Sequence, residues 1–145
     1  HWQRQFLHPM MKAMDAPSRE ECLAKRPRSN TPNAALALLN DPTFVEAARA
    51  LATRIIKEKT GTLEERIQFA WLTVLSRKAK ADEVALLVGL FKESAKEYAD
   101  QPERAKELLK VGLAPADASL DPSELASWTM VSRAILNLGE TTIRN

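Results

Sequence analysis

Cysteine is almost missing from this chain. Cys22 stands alone, so no disulfide can close within it and no cysteine-rich zinc site can form. Histidine is nearly as scarce, with only His1 and His8. Nothing in the sequence ties either one to Cys22 as the base a nucleophilic thiol requires. The four glycines form no phosphate-cradling loop. No zinc-spaced triplet and no Ser-His-Asp ordering is present either. Long apolar runs are lacking as well: the longest, Val84–Phe91, has eight residues and cannot span a bilayer. Charge of one sign is also missing, since 21 Lys and Arg against 19 Asp and Glu leave +2. That balance gives no basic footprint for nucleic acid. The chain opens on His1 with neither an initiator Met nor a charged-then-apolar leader, and so reads as a piece of something longer.

What is present is a soluble globular mixture, 45% hydrophobic and 28% charged over 145 residues. That length suits one domain, 1–145, with a self-sufficient core. Few glycines, abundant Ala and Leu and no sustained β-branched alternation point to helices. The firmest starts are a capping residue followed by proline at the first helical position: Thr31-Pro32, Asp41-Pro42 and Asp121-Pro122. Asp121 with Glu124, and Thr62 with Glu65, have capping-box spacing.

After Pro42 the residues Val45, Ala48, Leu51, Ala52 and Ile55 form one apolar stripe, with Arg49, Thr53, Arg54 and Lys57 expected on the other side. After Thr62 come Ile67, Ala70, Trp71 and Val74, while Phe69 and Leu72 are apolar on a second face. That pattern predicts a central helix. Residues 82–99 carry Val84, Leu87, Phe91 and Tyr98 on one face. Pro102 opens a short helix that Gly112 is expected to end, and the stripe Leu125, Trp128, Val131, Ile135 and Leu138 is expected to close at Gly139. Residues 1–14 also read as helical, kinked at Pro9. The predicted fold class is all-α: a single bundle of five to six short antiparallel helices, with an irregular but ordered polar loop over 15–31 near the N-terminus. Trp71, Trp128, Ile55, Leu51, Phe91 and Leu87 are predicted to share one core.

The stretch Asp15-Ala16-Pro17, Cys22, Arg26-Pro27-Arg28-Ser29-Asn30-Thr31-Pro32 and Asn40-Asp41-Pro42-Thr43-Phe44-Val45-Glu46-Ala47-Ala48-Arg49 is distinctive. It resembles the C-terminal part of a bacterial family called domain of unknown function 1553, or planctomycete-specific domain one. The likeness continues through Glu65-Arg66-Ile67 and Leu75-Ser76-Arg77, and is read to end at Trp128-Thr129-Met130-Val131 and Ile135–Leu138. Ser76 stands where members carry glycine, and Lys80 where they tend to place a capping threonine. The resemblance implies a large exported protein, periplasmic or extracellular, in which this region follows a cytochrome-c-like segment and a second domain. Its implied partners are therefore the upstream domains of the same chain and, through the parent, polysaccharide. It implies no established activity.

The candidate polar or anion-binding cluster is Asp15, Arg26, Arg28, Asn30, Asn40 and Asp41. Arg26 and Arg28 flank a proline, so they can brace an acid such as Asp15 or Asp41, or grip a carboxylate, phosphate or sulfated sugar. Bracing is the favoured role, because the chain lacks the convergent polar groups of a ligand pocket. Asn30, Thr31, Asn40 and Asp41 have the spacing of caps and Asx-turns. His1 and His8 near Met11 suggest no haem, since the Cys-Xaa-Xaa-Cys-His attachment motif is missing. Haem is expected only in an upstream domain. Membrane insertion, nucleic acid, metal and cofactor are not expected in this region. The leading reading is a non-catalytic module that braces or completes upstream domains. The alternative is part of an exported polysaccharide-acting or electron-transfer assembly, with a site shared with the preceding domain.

Overall fold

The computed structural model describes residues 32–142. The expected helix over 1–14, the loop over 15–31 and the site residues Asp15, Arg26, Arg28 and Asn30 lie outside the described residues. The chain divides into two compact units at Asn40/Asp41. In the first, α1 (Pro32–Asn40) is described. The second contains α2 (Pro42–Glu58), α3 (Leu63–Leu75), α4 (Ala81–Asp100), α5 (Pro102–Leu109), α6 (Pro122–Leu136) and the four-residue α7 (Gly139–Thr142). Helix covers 77% of the described residues and no strand occurs among them, so the fold is all-α.

The starts follow the predicted cap chemistry. Asp41 accepts the Thr43 N–H at 2.8 Å, Thr62 accepts the Glu65 N–H at 3.3 Å, and Asp121 accepts the Glu124 N–H at 2.8 Å. The expected boxes differ in their return half. The Glu124 carboxylate pairs with Arg66 across the bundle at 3.0 Å. At α4 the reverse occurs: Lys80 has no acceptor to offer, yet its backbone N–H donates to Glu83 at 2.7 Å, so the missing threonine is half replaced. Ser76 ends α3 in the left-handed region (φ 57°, ψ 20°), with its N–H on the Leu72 carbonyl at 2.9 Å. Glycine adopts that conformation without strain.

Two helix ends fall short of the glycines expected to make them. α5 stops at Leu109, and Gly112 (φ 104°) turns the chain two residues beyond its cap, Lys110. α6 stops at Leu136, and Gly139 opens α7 rather than closing α6.

The predicted core forms. Leu51, Ile55, Trp71, Leu87 and Trp128 are buried in one cluster, and half-buried Phe91 packs its ring against Trp128 with centroids 4.8 Å apart. The centre, however, is α6 and not α3. Leu125 through Thr129, Val131, Ser132 and Ile135 are all buried, and α6 packs against α2, α3, α4 and α5. Leu72, on the second apolar face of α3, is 52% exposed. Two of its three buried small polar residues help α6 tolerate burial nearly all round. Ser127 donates to the Ser123 carbonyl and Thr129 to the Leu125 carbonyl, both at 2.7 Å, which satisfies their hydroxyls within the helix itself.

Candidate functional site

Of the sequence-derived cluster, only Asn40 and Asp41 lie among the described residues. Asn40 is exposed at the end of α1. Asp41 caps α2 as predicted. The charged residues that organise the second unit are others, in two groups.

The first group grows from α2. Arg49, expected on its solvent side, is 4% exposed. Its guanidinium donates to the carbonyls of Leu109, Val111 (2.9 Å) and Ala114. Those carbonyls belong to the frayed end of α5 and the loop after it, where no helical partner remains. The planar fork reaches several acceptors that a single ammonium cannot. One turn earlier, Glu46 accepts the N–H groups of Leu113 and Ala114. Those two bonds, the Leu113 one foremost, hold its carboxyl below the usual range. A side chain at Gly112 would run into this carboxylate, so the close approach requires glycine as much as the positive φ does. Further along, Lys57 pairs with Asp117, which also caps Ser119. The Lys57 ammonium and the Ser119 donors hold the Asp117 carboxyl well below its ordinary value. α2 thus fixes the whole 110–119 loop through Glu46, Arg49 and Lys57. The signal for Arg49 was available, because 45, 49 and 52 share one helical face. Only its residue type argued against burial.

The second group centres on Arg77, just past the end of α3. All five of its N–H donors are engaged. Nε and Nη2 bond Glu140, Nη2 and Nη1 bond Glu83, and Nη1 also bonds the Lys78 carbonyl, at 2.8–3.1 Å. Its Cζ lies 5.2 Å from the Trp71 ring centroid. The Glu140 and Glu83 carboxylates raise the guanidinium further above its already high value. In return the guanidinium, with help from the Lys80 N–H, pulls the Glu83 carboxyl down to about 2. The clasp ties α7 and the start of α4 to the end of α3. Beneath it lies an open pocket of about 270 Å³, lined by Trp71, Leu86, Leu87, Ala134, Ile135 and Leu138, with Arg77, Glu83 and Glu140 around it. A second, wider depression of about 640 Å³ follows the 112–118 loop past Lys106 and Lys110.

Among the described residues no group of His, Cys, Asp and Glu is placed to hold a metal ion, and no helix is long and apolar enough to cross a membrane. Hydrogen bonds and ion pairs of this kind, turned onto the fold's own backbone and helix ends, define an all-α module whose polar residues organise the fold itself. The chain belongs to the family described as PSD1, protein of unknown function (DUF1553), which matches residues 1–91. The match takes in Glu46, Arg49, Arg77 and Glu83. It stops at Phe91, short of the Trp128–Leu138 stretch. Among curated proteins and solved structures nothing matches the chain.

Proposed function

We propose that this chain is a non-catalytic helical module of a larger exported protein of the planctomycete type, periplasmic or extracellular, and that it braces or completes the domains upstream. The observation that carries this reading is the use made of three charged residues, Glu46, Arg49 and Arg77. Arg49 holds three carbonyls, Glu46 two N–H groups, and Arg77 two carboxylates and a carbonyl. A catalytic or anion-gripping site keeps donors or acceptors open for substrate. Here those of Arg77 are filled, and those of Arg49 are turned onto a loop. A bracing module needs rigidity, and these ties supply it.

The test compares the parent protein with a version lacking this region. Thermal melting, monitored by limited proteolysis of the upstream domains, should show those domains unfolding at a lower temperature when the region is removed. An unchanged upstream transition refutes bracing. Glycan turnover that disappears with the region while the upstream melt stays unchanged favours the polysaccharide-acting reading.

A further inference from the structure

The solvent side of α4 has an unusual centre. Asp82, Ala85, Leu86, Gly89, Lys92 and Lys96 are all exposed, and their spacing puts them on one helix face with Gly89 in the middle. The opposite face is the buried one, with Leu87, Ser94 and Tyr98. Nothing inside the chain requires glycine at 89. Its φ is not positive, and a Cβ there would meet nothing within 4 Å. Glycine inside a long helix only weakens it relative to alanine. A second helix crossing at this point would make use of the missing side chain, because the two backbones could then approach closely. Leu86, one turn away, is 70% exposed.

The charges on this face select what crosses it. Asp82, Lys92, Glu93 and Lys96 make no ion pair among the described residues. Lys92 and Glu93 adjoin and offset each other, which leaves Asp82 towards one end and Lys96 towards the other. Asp100 lies past them, beside the start of α5. Asp82 and Lys96 each stand seven residues from Gly89, so both are about 10.5 Å from it along the axis. A second α4 laid antiparallel across Gly89 therefore sets Asp82 of each chain against Lys96 of the other, and each Leu86 beside the other copy's Gly89. A parallel copy would set like charges together. An unrelated partner would have to match this symmetric spacing, which a second copy supplies by itself.

We propose that this face of α4 pairs with the same face of a second copy of this chain, antiparallel about Gly89, in a twofold dimer. One helix face lies at the low end of interface sizes, so the dimer is weak and transient. The pairing is independent of the bracing role.

The experiment is analytical ultracentrifugation of the intact chain. Sedimentation over about 10 µM to 1 mM should show reversible exchange between monomer and dimer. Gly89→Gln places a good helix former at a position with open space around it. It should hold or raise the melting temperature while weakening association about tenfold or more. Asp82→Lys alone and Lys96→Asp alone should each lose the homodimer through like-charge contacts. Mixed in equal amounts, the same two variants should form a heterodimer about as tight as the wild-type dimer, since each contact then joins opposite charges. A wild-type chain that stays monomeric throughout that range overturns the proposal. So does a dimer that survives Gly89→Gln, and so do charge variants that associate no better mixed than apart.

Discussion

Replacing Arg49 by alanine removes the tie between α2 and the end of α5. The magnitude follows from the three acceptors it serves. The Leu109 contact is buried, whereas those to Val111 and Ala114 are part-buried. A buried carbonyl left without a partner costs about 1–3 kcal/mol, and a part-buried one that water can reach costs nearer 0.5–1 kcal/mol. Adding the lost packing of the aliphatic stem gives a destabilisation of roughly 3–5 kcal/mol, a large share of the 5–15 kcal/mol typical of a whole domain. For a unit of this size that lowers the melting temperature by about 10–20 °C. Arg49→Met restores the stem without the donors and should recover only a minor part. Arg49→Lys should recover part again, because one ammonium cannot serve three carbonyls in a fixed plane. The assay is thermal unfolding by far-UV circular dichroism, paired with urea titration. A loss below about 1 kcal/mol for Arg49→Ala would refute the reasoning. The loop carbonyls would then find water as readily as the guanidinium.

Trp128→Ala should cost about 3–5 kcal/mol in urea unfolding. The lower half of that range is expected, because the buried indole N–H finds no acceptor among the described residues, which offsets part of the gain from burial. Glu83 titrates near 2 against an ordinary 4.5. Its depressed folded value means that its contribution is fully present above about pH 4.5 and is lost as pH falls through 2. Stability of the wild type should therefore decline over that window more steeply than that of Glu83→Gln, and parallel declines would remove the clasp from the account. Ser76→Gly should stabilise by about 0.5–1 kcal/mol, since φ 57° strains any residue with a Cβ, and a neutral or negative effect would contradict the assigned cap. A chain ending at Phe91, where the family match stops, loses Leu125, Trp128, Val131 and Ile135 from the core. It should show no cooperative melt, and a sharp transition would show that α2, α3 and the first half of α4 suffice alone.

Helix positions in the described residues were legible because the sequence states them locally. Pro42 and Pro122 fix φ at the first helical position, and Asp41 and Asp121 supply the acceptor one residue earlier. The apolar stripes likewise identify the residues that meet in the core. The central helix was less legible. α6 and α3 both carry more apolar positions than a surface helix needs, and periodicity counts Ser127, Thr129 and Ser132 as polar although all three are buried. The hydroxyls of Ser127 and Thr129 bond back to the preceding turn, so their burial costs far less than polarity suggests. Charged residues were least legible, because their partners are remote in sequence. Arg49 is 60 to 65 residues from its carbonyls, and Arg77 is 63 residues from Glu140.

The distribution of those ties explains a feature of the family motif. Asn40-Asp41-Pro42-Thr43-Phe44-Val45-Glu46-Ala47-Ala48-Arg49 holds a cap, a core contact and two loop clamps in ten consecutive positions. Asp41 fixes where α2 begins, and the helical rise then fixes where Glu46 and Arg49 stand along it. One extra residue between Asp41 and Glu46 would rotate both charged groups by about 100° away from the loop they hold. The motif is thus a measured distance from a helix start to a buried cation. The segment that Glu46 and Arg49 grip needs to offer only backbone groups and one glycine, Gly112. Residues 109–114 thus meet the clamp through backbone groups and Gly112, whereas Asp117 meets Lys57 with its own side chain.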